Sequence, residues 1–132
     1  NNWKGLYQLK PYPIFDSAKR LRKNMYIKGS YMSLSFHIKK SLGISKGGMI
    51  LTDDEFANDW FRKARYEGRS EKNYKEDDID FLGWNMYMTP QQAAHGLALL
   101  QNYDEQTPDQ EEPNGYRDLT EFTVFKNFKI IQ

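Results

Sequence analysis

The chain has 132 residues, a net charge of +1 at neutral pH and no cysteine, with 39% hydrophobic and 15% aromatic residues. That length allows one compact domain, and nine tyrosines, eight phenylalanines and three tryptophans supply enough apolar bulk to exclude wholesale disorder. Nineteen basic residues against eighteen acidic ones leave no global field to attract nucleic acid or acidic membranes, and the lack of cysteine excludes disulfides, thiolate nucleophiles and cysteine-based metal sites.

No stretch approaches the ~18 apolar residues of a membrane span, and the opening Asn1-Asn2-Trp3-Lys4-Gly5 lacks the apolar run expected of a secretory signal. The expectation is a soluble chain of a reducing compartment, the cytoplasm. Pro11 to Asp16 reads as a short extended segment, because each proline pushes its predecessor towards β or polyproline geometry. Tyr31 to Ile38 alternates and is rich in aromatic and hydroxyl residues, which predicts a second strand. After Gly43 and the pair Gly47-Gly48, the run Met49-Ile50-Leu51 predicts a third, buried strand.

Helix signals follow. Thr52 and Glu55 have capping-box spacing, with Asp53 and Asp54 at the positive end of the helix dipole. Phe56, Trp60, Phe61 and Ala64 then form one apolar stripe, and Gly68 is a stop signal. Gly68 to Asp80 is charged and predicts a surface loop. Thr89-Pro90-Gln91-Gln92 predicts a second helix start, with Ala93, Ala94, Leu97 and Leu100 as its inner face and the alanines with Gly96 permitting close packing. The acidic, proline-containing stretch Asp104 to Asp118 reads as a mobile connection, and Phe122 to Ile131 as an edge strand or a docked tail. Short strands alternating with helices favour an α/β arrangement.

The chemistry is concentrated in Ser33-Leu34-Ser35-Phe36-His37-Ile38-Lys39-Lys40 and the following Gly47-Gly48-Met49-Ile50-Leu51-Thr52-Asp53. This stretch resembles the cofactor-lysine segment of the DegT/DnrJ/EryC1/StrS family of pyridoxal-phosphate sugar aminotransferases. Ile14-Phe15-Asp16-Ser17-Ala18 resembles the strand end that carries the aspartate beneath the pyridine ring. Leu82-Gly83-Trp84-Asn85 resembles the family's Gly-aromatic-Asn motif, and Met88 to Leu97 the helix after it. Together the matches run from Pro13 to Tyr103.

The resemblance implies a partial type I aminotransferase large domain over residues 1–104, followed by an acidic linker and tail over 105–132. It implies pyridoxal 5'-phosphate as cofactor and amino transfer from an amino acid, usually glutamate, to a keto group on a nucleotide-activated sugar. Lys40 is implied as the catalytic amine that condenses with the cofactor aldehyde and shuttles a proton. Strand alternation alone would select Lys39 instead, on the same face as Ser35. Asp16 is implied at the ring nitrogen, Ser35 at the phosphate, His37 near the cofactor, and Asn85 across a homodimer interface. Complete enzymes of this family are much longer, so a truncated form, inactive alone, is the expectation.

His37 and His95 are far apart and lack ligand spacing, so no metal site is expected. Two other readings stand beside the enzymatic one. The basic, aromatic cluster from Lys19 to Tyr26 could grip nucleic-acid phosphates and stack bases, though the near-zero net charge weighs against it. A non-catalytic remnant acting as an interaction or carbohydrate-binding module would keep the fold without the reaction.

Overall fold

The computed structural model describes residues 5–111 and 117–126. Four short strands, β1 (Tyr7–Gln8), β2 (Ile14–Asp16), β3 (Tyr31–Ser35) and β4 (Gly48–Leu51), form one sheet in the order β1-β2-β3-β4. Two helices follow, α1 (Glu55–Arg65) and α2 (Pro90–Leu100), then a 3-10 turn at Leu119–Glu121 and the short α3 (Thr123–Lys126). None of the described helices is long and apolar enough to cross a membrane.

β2 and β3 run parallel, with Ile14, Phe15 and Asp16 opposite Tyr31, Met32 and Ser33, and the outer pairs are antiparallel. Successive strand residues point to opposite faces. Met32 and Leu34 therefore share one face and are buried, Leu34 packing with Phe36, Leu42 and Ile44 from the β3–β4 connection. Tyr7, Ile14, Asp16, Tyr31, Ser33, Ser35 and Ile50 register on the opposite face, which is largely open.

Several expectations are corrected by non-local contacts. β3 stops at Ser35, three residues short of the expected Ile38: beyond it the Phe36 and Ile38 N–H groups still donate to the Gly47 and Ser45 carbonyls at 2.9 and 3.1 Å, but Ser45 (φ 82°) and Gly47 (φ 134°) make that pairing irregular. Met49 and Ile50 are exposed because β4 is the edge of the described sheet. The cap of α1 is Asp54, not Thr52: the Asp54 carboxylate accepts the Ala57 N–H at 3.0 Å, while the Thr52 hydroxyl accepts the Asp54 N–H at 3.1 Å. Asp53 is diverted to the β2–β3 connection, where the Tyr26 hydroxyl donates to it at 2.6 Å and holds its carboxyl below the usual range.

The α1 stripe is only partly covered. Ala64 is buried and Trp60 stacks on Phe81 at 5.6 Å, but Phe56 is 84% exposed. The helix ends at Arg65, and the chain turns left-handed first at Glu67 (φ 61°) and then at the expected stop, Gly68 (φ +82°), whose N–H donates to the Lys63 carbonyl at 2.9 Å. The α2 capping box forms between Thr89 and Gln92. Its expected inner face does not bury: Leu97 is 66% exposed, and the helix instead meets Ile44 through Gly96. Residues 123–126 are helical rather than an edge strand, and the remainder of the expected strand lies outside the described residues.

Candidate active site

The parallel pairing of β2 with β3 brings the carboxyl ends of both strands to one end of the sheet, the usual ligand position in open α/β sheets. Asp16 closes β2 opposite Ser33, and Ser35 closes β3 two residues further on, about 7 Å along the strand. Both side chains lie on the open face. The Asp16 carboxylate accepts the Ala18 N–H through Oδ1 at 2.9 Å, which leaves Oδ2 without a partner among the described residues. The ladder continues past it, since the Ser17 N–H donates to the Ser33 carbonyl at 2.9 Å.

Beyond Ser35 the chain turns. Its hydroxyl oxygen accepts the His37 N–H at 3.3 Å, the His37 Nδ1 accepts the Lys39 N–H at 3.2 Å, and the Lys40 N–H closes the turn on the His37 carbonyl at 2.8 Å. Strand alternation has lapsed here, so it no longer selects Lys39. Lys39 and His37 are exposed, whereas Lys40 is half-buried. Gly43 lets the chain close over this turn, because a Cβ there would lie 2.5 Å from the Ile38 carbonyl oxygen.

Residues 104–111 of the acidic stretch after α2 are fastened to the connection after β2 and to the Lys39 carbonyl instead of running free. Arg20, four residues past Asp16, donates to Asp109 through Nε at 2.8 Å and Nη2 at 2.6 Å, and the Lys23 Nζ meets Glu105 at 2.8 Å. Arg22 lies 4.0 Å from Asp109 as well. These pairs offset much of the charge in the basic cluster from Lys19 to Tyr26, which weighs against reading it as a nucleic-acid surface. Sequence reasoning missed this fastening. Its only local signal is the opposite sign of the 19–23 and 104–111 charges, since the two segments are far apart along the chain.

The Arg20 guanidinium holds the Asp109 carboxyl below the ordinary carboxylate range. A depressed folded value makes the pair stabilising above the unfolded pKa of ~3.9 and lost as pH falls through the folded value. Asp109→Asn is expected to cost about 1.5–3 kcal/mol at neutral pH, the usual worth of a hydrogen bond to a charged group. Urea unfolding should show the gap between variant and wild type closing in strong acid.

The sequence profile of the DegT/DnrJ/EryC1/StrS aminotransferase family matches residues 22–119. The chain belongs to this family. It is similar to the spore coat polysaccharide biosynthesis protein SpsC of Bacillus subtilis (strain 168), with 32% identity over 95 residues, 66% of this chain and 24% of that protein. Among solved structures it is similar to Helicobacter pylori PseC, an aminotransferase involved in the biosynthesis of pseudoaminic acid. There the TM-score is 0.58 with 25% identity, covering 67% of this chain and 25% of that one. The chain thus spans about a quarter of the length of the relatives it matches. The mixed sheet with flanking helices is a partial aminotransferase fold of the type I class, as the resemblance implied.

DegT-family aminotransferases in general use pyridoxal phosphate. Two groups at the strand ends suit that cofactor, a carboxylate with an open oxygen and a hydroxyl whose oxygen accepts a backbone N–H and so keeps its proton to give, and the turn that follows Ser35 carries the Lys40 amine. Asn85 stands apart from them. It is exposed, pairs with Tyr66 in an isolated bridge, and donates through Nδ2 to the Glu67 carboxylate at 2.7 Å. That bond is the first cause holding the Glu67 carboxyl below its usual range, with Arg69 adding to it.

Proposed function

We propose that this chain is the cofactor-anchoring part of a pyridoxal-phosphate aminotransferase that delivers an amino group from an amino acid, glutamate, to a keto group on a nucleotide-activated sugar. The observation that carries this reading is the parallel register that puts Asp16 and Ser35 on one face at the strand ends, with the Lys40 turn continuing directly from Ser35. Bound there, the cofactor supplies an electron sink for the carbon next to the amine. Lys40 holds it through the ε-amino group and moves the proton at that carbon. Asp16 accepts a hydrogen bond from the ring nitrogen through its open oxygen and keeps that nitrogen charged. Ser35 donates its hydroxyl proton to a phosphate oxygen.

His37 shapes the Lys40 turn through Nδ1 and presents its exposed ring beside the cofactor. Asn85, exposed on the α1 side, reaches the site of a second copy in a homodimer. The relatives' roles in spore coat polysaccharide and pseudoaminic acid biosynthesis support a sugar as the acceptor. With about a quarter of their length, this chain is expected to hold cofactor without turning over substrate alone.

Mixing the chain with pyridoxal phosphate should produce visible absorbance, and borohydride should fix the cofactor on the peptide carrying Lys40. An adduct spread evenly over Lys39, Lys40 and Lys46 would overturn the assignment.

A further inference from the structure

We propose that Gln110 is a positioning residue that sets Lys40 relative to Asp16. This rests on the reading of Lys40 as the anchoring amine. Gln110 makes two hydrogen bonds to two different loops. Its backbone N–H donates to the Lys19 carbonyl at 2.9 Å, three residues past Asp16. Its side-chain Nε2 donates to the Lys39 carbonyl at 3.1 Å, directly before Lys40. One residue, 71 positions from Lys39, thus ties the connection after β2 to the turn after β3.

The choice of carbonyl gives the bond its leverage. The Lys39 C=O belongs to the rigid peptide plane that joins Lys39 to Lys40. Pinning that oxygen fixes the ψ of Lys39 and the φ of Lys40, and hence the direction in which the Lys40 side chain leaves the backbone. From the other side, the same plane's N–H is already bonded to His37, so the plane is held at both ends. The anchor is itself held: the neighbouring Asp109 grips Arg20 through two hydrogen bonds, so the Gln110 backbone cannot drift from Lys19. Without the side-chain bond, the turn would keep its local hydrogen bonds but lose its tie to the strand end that presents Asp16.

The test is the rate at which pyridoxal phosphate condenses with Lys40, fixed by borohydride after short times and read by peptide mass spectrometry against Lys46, an exposed lysine in the same sample. Gln110→Met keeps the side-chain length and removes the donor; Gln110→Glu places an acceptor against the carbonyl. The expected result is a fall in Lys40 selectivity of about three- to tenfold in Met, the span of one ordinary hydrogen bond, and a larger fall in Glu. The pH at which Lys40 condensation is half-maximal should move in both variants while Lys46 stays unchanged. Wild-type protein with no selectivity for Lys40 removes the anchoring assignment and this proposal with it. A selective wild type whose two variants match it in rate and pH profile overturns the positioning role alone, as does a change shared equally by Lys39, Lys40 and Lys46.

Discussion

Alanine at position 40 is expected to reduce fixed pyridoxal phosphate to the level of the exposed lysines, whereas alanine at position 39 should leave it near wild type. The two residues are neighbours with the same chemistry, so the contrast isolates placement. A free lysine amine has a pKa near ~10.4 and is almost wholly protonated at neutral pH, so selective condensation needs a site that holds amine and cofactor together. Lys39 contributes its carbonyl to Gln110 and its N–H to His37 while its side chain stays in solvent. Lys40 is half-buried at the close of the same turn. Visible absorbance and peptide mapping read both variants. Full labelling in Lys40→Ala, or equal losses in the two, would remove the enzymatic reading from this segment.

What the residues disclosed and what they concealed divides along the range of the interactions. The start of α2 is legible because Thr89, Pro90 and Gln92 settle it within four positions. The start of α1 is harder: Thr52, Asp53 and Asp54 can each cap, and the outcome depends on Tyr26 capturing Asp53 from another part of the chain. β1 is invisible in sequence because Tyr7–Gln8 becomes a strand only by pairing with β2. Periodicity shows that α1 and α2 have apolar faces, but says nothing of what meets them, and so Phe56 and Leu97 are exposed where burial was expected.

The candidate site follows the same division. Asp16, Ser35 and Lys40 stand out through motif resemblance, yet the placement of Asp16 and Ser35 on one face comes from a parallel register that no single motif encodes. The contribution of residues 104–111 is concealed for a different reason. Acidic, proline-containing sequence is usually solvated, and only the partner charges on Arg20 and Lys23 turn this stretch into a fastening. Composition reports what a segment can do alone, while Gln110 matters through two carbonyls that lie 20 positions apart from each other in sequence.

Met32→Ala is expected to be the most destabilising single change in the sheet, at about 2–5 kcal/mol. Met32 is 0% exposed, in β3 between Phe15 of β2 and Leu51 of β4. Truncation leaves a void on the buried face between the side chains of Phe15 and Leu51, whose strands hold them in place and leave little freedom to collapse. It also removes the sulfur that accepts the Ile27 N–H at 3.3 Å. Total stability of a domain is commonly about 5–15 kcal/mol, so a loss of this size takes a large share. Met32→Leu separates the two effects: it nearly conserves volume and should cost under about 1.5 kcal/mol, with what remains attributable to Ile27. Phe56→Ala, at an 84% exposed position, should stay within about 0.5 kcal/mol. Because β3 carries Ser35 and aligns Asp16, fixation of cofactor on Lys40 should be lost at the same denaturant concentration as the fold. Urea midpoints at constant slope measure all three variants, and a Met32→Ala midpoint equal to that of Phe56→Ala would show that β3 is not the centre of the sheet's stability.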